Sequence, residues 1–182
     1  MKTKKILSCA ILSVAAVNAH AQGNFQVSLG SMSYDLSTET SIPDLDYKSS
    51  DSDSDSGAIL GLGYTVLYDK TYAGVNLYLP NTDDTAFMLE GSYQYMITNN
   101  IYAGGFGGYF NWESDDLDLS GISLGLSAGA LFLNNKLDIN AKYRFLNGSS
   151  DKISGVESGY NYTSEAEFDS SMQVTVGYNF GL

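Results

Sequence analysis

Charged side chains that could do chemistry occur first in the segment SSDSDSDSG, residues 49–57. This segment places carboxylates at every second position, on Asp51, Asp53 and Asp55. They match the first three ligand positions of an EF-hand loop, but the match fails at the glycine and glutamate positions that such a loop requires. We therefore expect no defined metal or cofactor site, but a solvated loop that weakly attracts divalent cations.

A second group of charges follows an even spacing in the segment LDINAKYRF. A β-strand would place Asp138, Lys142 and Arg144 on one face, and Glu90 lies on the polar face of another alternating segment. A lone buried charge is costly, so these four side chains should pair with one another or contact water. We predict that Glu90 reaches Lys142 or Arg144 across the interior of a barrel.

The first 21 residues have the pattern of a secretion signal. A basic start precedes the apolar stretch 6–17 and the small-residue segment Ala19-His20-Ala21. We expect cleavage after residue 21, so that residues 22–182 form one domain. This domain carries 6 basic and 21 acidic residues, a net charge of −15. That charge argues against nucleic acid as a partner.

Catalytic chemistry is limited by the side chains that residues 22–182 lack. The only His and the only Cys are His20 and Cys9, both in the expected leader. Ser-His-Asp and Cys-His mechanisms are therefore excluded after cleavage, and we predict that the protein is not an enzyme.

Eight segments alternate between apolar and polar or small residues, and no helical period competes with them. The first changes phase at Gly30-Ser31, which predicts a β-bulge. No stretch approaches the roughly 20 apolar residues of a membrane-spanning helix. The alternating segments cover residues 25–36, 58–68, 73–79, 87–97, 102–112, 122–132, 137–145 and 172–180.

The connections between these segments alternate in length. Short turns rich in Asn and Asp are predicted at residues 69–71, 99–100 and 134–136. The other ends should carry polar extracellular loops. Ten strands remain open if the two longest loops hold a hairpin, although neither has a clean alternation. The loops are expected at residues 37–56, 80–84, 114–120 and 147–167.

Alternation alone leaves open whether the apolar face points inward, as in a soluble lipocalin-like barrel, or outward to lipid. The opposite face decides, because in the sixth segment it consists of Ser and Gly, which suit a narrow lumen. By the same reasoning Gly105 and Gly107 of the fifth segment should face inward. Its aromatic residues, which include Phe110 and Trp112, should then face lipid and join an interfacial girdle.

The whole of residues 22–182 resembles the small outer-membrane β-barrels of Gram-negative bacteria, of the OmpA, OmpX and opacity-protein type. The most specific part is VTVGYNF. Here Val174, Val176, Tyr178 and Phe180 resemble the C-terminal signal that the barrel insertion machinery recognises, although Gly181-Leu182 follow the final aromatic. The resemblance implies an all-β, eight-stranded, antiparallel, up-and-down transmembrane barrel in the outer membrane, closed by pairing of the last strand with the first.

Two functions are compatible with such a barrel. The first is a structural or surface-interaction role in adhesion or envelope integrity, in which the acidic loops contact lipopolysaccharide, divalent cations or a host surface. The alternative is a narrow channel for water or small ions. We favour an interior filled by side chains, because an eight-stranded barrel is only wide enough for its own side chains.

Overall fold

The computed structural model describes residues 22–81, 85–113, 118–150, 153–157 and 160–181, and the expected leader lies outside them. A single 3₁₀ turn, Pro43–Leu45, joins the first two of nine strands. The strands are β1 (Gln22–Ile42), β2 (Tyr47–Tyr68), β3 (Thr71–Pro80), β4 (Thr85–Met96), β5 (Ile101–Glu113), β6 (Asp118–Phe132), β7 (Leu137–Ser150), β8 (Ile153–Glu157) and β9 (Tyr160–Gly181).

The strands form one closed antiparallel barrel. Each of β1 to β7 pairs with its neighbours in chain order, β9 pairs with β7, and β9 returns to pair with β1. In that seam Phe25 lies opposite Phe180, so the predicted closure of last strand on first is confirmed. The short strand β8 pairs only with the start of β9, so the barrel wall itself has the eight strands predicted.

One end of the barrel, which we call the short-turn end, holds both ends of the described chain and three tight turns. Asp69, Asn134 and Asn135 have positive φ values of 51°, 57° and 66° in these turns. Asp and Asn tolerate this backbone better than most residues, which is why their clustering predicted the turns correctly.

At the opposite end, strands occupy much of two predicted loops, residues 37–56 and 147–167. The β1–β2 pairing continues to Ile42 and Tyr47, and the β1–β9 pairing continues to Ser41 and Thr163. Together with β8 they form a four-stranded sheet, in the order β2–β1–β9–β8, beyond the rest of the wall. We call residues 37–57, 153–157 and 160–167 the protruding sheet. Its apolar side chains are few, and Tyr47 and Val156 among them are exposed, so the apolar alternation that reveals a half-buried strand is missing.

The bulge predicted at Gly30-Ser31 is wrong. Both residues keep a continuous register with β2 and β9, and the irregularity lies between Asp35 and Leu36 in the β1–β9 pairing. At Gly30 the apolar residues of β1 change from the outward face of the strand to the inward face. Met32 and the apolar side chains after it point inward, whereas Phe25, Val27 and Leu29 point outward.

The predicted orientation of β5 is also wrong. Tyr102, Phe106, Phe110 and Trp112 are buried in the interior, and Ala103, Gly105 and Gly107 lie on the opposite, outward face. Glycines on β6 leave room for these rings. A Cβ atom added to Gly125 would collide with the Phe106 ring, and one added to Gly129 would collide with Tyr102.

The interior contains two apolar clusters with polar layers between them. The smaller cluster, at the short-turn end, consists of Tyr72, Met96, Tyr102 and Leu131. The larger one fills the other half of the interior. It consists of Met32, Ile59, Tyr78, Ala86, Met88, Phe110, Trp112, Leu119, Leu146 and Phe168.

Candidate functional site

The most deeply buried charges lie in a layer that we call the Glu90 cluster: Glu90, Lys142, Arg144 and Gln173. Glu90 Oε2 accepts a hydrogen bond from Lys142 Nζ at 2.7 Å, and Glu90 Oε1 accepts one from Arg144 Nε at 2.5 Å. Arg144 Nη2 also donates to Gln173 Oε1. Glu90 therefore reaches both of the cations that the sequence offered as alternatives.

Inward-facing positions of three strands bring this cluster together. Glu90 lies on β4, Gln173 lies on β9, and the two cations lie two residues apart on β7. The Lys142 ammonium also lies 4.4 Å from the centre of the Tyr78 ring and 4.8 Å from that of Phe106. Ring faces attract cations, so these contacts add to the stabilisation of a charge that is out of water.

Asp138 does not join the Glu90 cluster. It lies nearer the short-turn end, in a layer that we call the Asp138 cluster: Asp138, Gln26, Tyr72, Tyr102 and Asn140. Its carboxylate accepts hydrogen bonds from Tyr102 at 2.6 Å, from Gln26 Nε2 at 2.8 Å and from Tyr72 at 3.3 Å. All three donors are neutral.

Sequence reasoning missed the neutral partners of both clusters. Gln26 and Gln173 sit at inward positions of β1 and β9, and each supports a charged group. Tyr72 and Tyr102 pack their rings 4.9 Å apart and direct their hydroxyls to Asp138. A Tyr at an alternating position has both an apolar ring and a polar tip, so its identity alone gives no orientation.

An aromatic cluster closes the interior below the protruding sheet. The Tyr34 and Trp112 rings lie 4.8 Å apart, and Phe168 packs on both, at 5.5 Å and 5.4 Å. Phe110 contacts Phe168 from the barrel side at 5.8 Å. Aromatic rings therefore fill the interior at the end of the barrel that carries the protruding sheet.

The acidic run lies in strand β2 of the protruding sheet, not in the predicted loop. Asp51, Asp53 and Asp55 are exposed and share one face, and Tyr34 donates to Asp55 Oδ2 at 3.0 Å. No group of three or more His, Cys, Asp or Glu side chains in the described part of the chain is placed to hold a metal ion. Weak, unspecific cation attraction by this run stays a prediction.

The residues of the predicted insertion signal lie side by side on the outer surface of β9. Val174, Val176, Tyr178 and Phe180 are each between 42% and 52% exposed, and the last two rings pack edge to face at 4.8 Å. Gly181 still pairs with Asn24, and Leu182 lies outside the described residues. Recognition by the insertion machinery stays a prediction.

The outer wall carries a belt of exposed apolar side chains, contributed by β1, β2, β4, β6, β7 and β9. A surface of this kind would associate in water, and it suits a lipid environment. No helix in the described segments is long and apolar enough to cross a membrane. The belt includes Phe25, Val27, Leu29, Leu62, Tyr93, Tyr95, Ile122, Leu124, Leu126, Ile139, Tyr143, Phe145, Met172, Val174 and Val176.

The chain forms a closed eight-stranded barrel with an apolar exterior and an interior filled by apolar and polar side chains. This is the architecture of the small outer-membrane β-barrels. The chain is similar to the outer membrane protein OprG from Pseudomonas aeruginosa. The two share 18% sequence identity and a TM-score of 0.57 over 90% of this chain and 98% of that one. At this identity the likeness establishes the fold alone.

Two further solved structures are similar over most of their length. Neisserial surface protein A is 16% identical over 86% of this chain and 97% of that one, with a TM-score of 0.43. Ail, the attachment invasion locus protein of Yersinia pestis, is 14% identical over 87% and 99%, with a TM-score of 0.34. No model of a known protein family and no curated protein sequence matches the chain.

Proposed function

We propose that this chain is an integral protein of the bacterial outer membrane, that its interior is closed, and that it acts through the acidic protruding sheet at the cell surface. The sheet is the observation that carries the proposal. A barrel that only sealed itself could end in tight turns, as this one does at its short-turn end. Instead, its two longest hairpins pair with each other across β1 and β9 and form one sheet.

The charge of this sheet favours a positively charged contact. Its single described cation, Lys48, is bound to Glu39 at 3.3 Å. Such a one-signed surface attracts cationic segments over about 8–10 Å at physiological salt and repels other anions. The partner classes are cationic proteins of a host surface and lipopolysaccharide bridged by divalent cations. The carboxylates are Glu39, Asp44, Asp46, Asp51, Asp53, Asp55, Glu157, Glu165 and Glu167.

Binding of a fluorescent oligolysine peptide to the refolded protein tests this role. The variant in which Asp51, Asp53 and Asp55 are all replaced by Asn should bind several-fold more weakly and with less salt dependence. The matched control replaces Ser50, Ser52 and Ser54 by Asn on the opposite face of the same strand and should bind like the wild type. Equal binding by all three proteins would refute the proposed role of the acidic face.

The proposed orientation places the protruding sheet outside the cell and the short-turn end in the periplasm. Residues 22–182 contain no Cys, so single cysteines can report on it. A membrane-impermeant maleimide should label Ser52→Cys on intact cells but label Asn100→Cys only after the envelope is opened. The reverse pattern would overturn the orientation.

The alternative function, a narrow channel, is disfavoured by the packing of the interior. Arg144 and Glu90 are fully buried, and the aromatic cluster lies between them and the protruding sheet. Wild-type protein in planar bilayers should therefore show no steady single-channel conductance, and Glu90→Ala should show more than the wild type. Robust wild-type conductance would favour the channel. We propose no catalytic role, since residues 22–182 lack His and Cys.

A further inference from the structure

Residues 47–57 of β2 form one edge of the protruding sheet. On one side they pair with β1, whereas β3 pairs with β2 only from Ile59 onward. No other strand in the described part of the chain pairs with this segment, and residues 47–56 are all exposed. The backbone groups on its open side therefore lie where a strand of another chain could extend the sheet.

The open side of this segment is the side to which Ser52, Ser54 and Ser56 direct their backbone groups. In an antiparallel pair, alternate residues direct both N–H and C=O to the same neighbour. Ala58 directs its carbonyl away from β1, because that oxygen accepts a hydrogen bond at 2.8 Å from the amide of Asn81, the residue that follows β3. The β1–β2 register is continuous from Ala58 to the β1–β2 turn, so the three serines share this direction.

The N–H groups of these three serines already have partners within their own strand. Asp51, Asp53 and Asp55 each accept a hydrogen bond through Oδ1 from the N–H of the serine that follows, at 3.0 Å, 2.9 Å and 2.7 Å. A side-chain acceptor of this kind competes with a β-ladder for the same donor. The repeat of Asp and Ser therefore covers a series of three donors along the open edge.

We propose that Asp51, Asp53 and Asp55 close this edge against strand addition by a second copy of the chain. Joining two such edges requires their N–H groups, whichever way the strands run, and here carboxylates occupy them. Two edges of the same charge also repel each other. The proposal goes beyond the binding of cationic partners, because it depends on Oδ1 as a hydrogen-bond acceptor and not on charge alone.

Replacement of all three aspartates by Asn or by Ala separates the hydrogen bonds from the charge. Asn removes the charge but keeps an Oδ1 acceptor for the following N–H, whereas Ala removes both. In size-exclusion chromatography with light scattering, the wild type and the triple Asn variant, refolded in detergent, should be monomeric. The triple Ala variant should form dimers at the same protein concentration. The matched control, in which Ser50, Ser52 and Ser54 are replaced by Ala, keeps the three carboxylates and should be monomeric.

Three results would overturn the proposal. If the triple Ala variant is monomeric like the wild type, the hydrogen bonds to Oδ1 do not close the edge. If the triple Asn variant forms as much dimer as the triple Ala variant, or if the wild type forms dimers at about 1 M NaCl, charge alone keeps two copies apart. None of these results depends on the binding of the oligolysine peptide, so this proposal and the proposed function can fail separately.

A single substitution keeps the test decisive if the triple Ala variant loses the protruding sheet. Asp53→Ala uncovers only the N–H of Ser54. In NMR spectra the Ser54 amide proton should move upfield and exchange faster with solvent, whereas the amide protons of Ser52 and Ser56 should change less. An unchanged Ser54 signal would show that Asp53 does not hold this N–H and would overturn the closed edge.

Discussion

Glu90 and Asp138 are buried carboxylates in the interior of one barrel, yet their surroundings differ in kind. Glu90 is held by two cations, Lys142 and Arg144, that belong to the chain. Asp138 is held by an amide and two phenols. The comparison shows two solutions to the burial of a negative charge. One has its counter-charge on β7, across the interior from β4, and the other relies on neutral donors.

The packing around the two carboxylates also differs, because it is tighter around Glu90 than around Asp138. Glu90 and Arg144 are fully buried beneath the rings of Tyr78 and Phe106. The Asp138 cluster instead adjoins a cavity of about 80 Å³ that reaches the short-turn end. We therefore expect the Glu90 cluster to be rigid and sensitive to substitution. The Asp138 cluster should be more tolerant, because the cavity beside Tyr72 leaves room for side chains to shift.

Glu90→Gln should give the largest loss of stability. It leaves Lys142 and Arg144 buried without a counter-charge, and breaking a buried pair in this way costs about 3–5 kcal/mol. Urea unfolding of the protein in lipid vesicles measures the loss, and the exposed Glu113→Gln is the control. A loss below about 1 kcal/mol would show that the cluster is hydrated and would weaken the contrast with Asp138.

Gly125→Ala tests the tight packing of the Glu90 cluster. Gly125 lies opposite Arg144, and a Cβ atom there would collide with the Tyr143 carbonyl oxygen and the Phe106 ring. We expect a loss of about 1–3 kcal/mol, as for other overpacked cores.

Gly177→Ala is the matched substitution beside the Asp138 cluster. Gly177 lies opposite Asp138, and its added Cβ would lie 3.1 Å from the flexible end of Gln26. Urea unfolding should detect a loss below about 1 kcal/mol for this variant. Equal losses for the two alanine variants would contradict a difference in packing.

Asp138→Asn should cost less than Glu90→Gln. The substitution weakens hydrogen bonds to a charged group but leaves no opposite charge unpaired, so we expect about 1–2 kcal/mol. Urea unfolding in lipid vesicles measures the effect, with Asp69→Asn as control. A loss as large as that of Glu90→Gln would mean that Asp138 has a fixed cationic partner.

The outline of the barrel could be predicted from sequence because the signals for it are local. Alternation located the strands, and Asn and Asp marked the turns at the short-turn end. On β7 the polar face is unambiguous, so the inward direction of Asp138, Lys142 and Arg144 followed directly from their spacing. The separation of Asp138 from Glu90 did not follow, since it depends on the stagger between non-adjacent strands.

The orientation of β5 could not be predicted because its alternation is ambiguous. One face holds rings and the other small residues, and either can face lipid. The register across the β4–β5 turn decides, because Glu90 pairs with Gly108 and Met96 with Tyr102, which places the rings inside. The glycines of β6 were taken as a sign of a narrow lumen, and they are instead the space that the β5 rings fill.

The protruding sheet was missed for a different reason. Residues 50–56 alternate between Ser and Asp, which is a period of two without any apolar member. Hydrophobic patterning reports burial, and most side chains of this sheet are exposed or only half-buried. The regular alternation of Asp and Ser was the available signal for a strand.

The exposed ion pair of the protruding sheet should give the smallest effect. Lys48 and Glu39 lie 3.3 Å apart, further than the buried pairs at 2.7 Å and 2.5 Å, and their side chains are 75% and 60% exposed. Solvent screens such a pair, so Lys48→Ala should change the unfolding free energy by less than about 0.5 kcal/mol in vesicles. A loss above about 1 kcal/mol would mean that Lys48 stabilises the sheet against the repulsion of its carboxylates. In that case raising the salt concentration should abolish the effect in Lys48→Ala while leaving that of Glu90→Gln intact, because only exposed charges are screened.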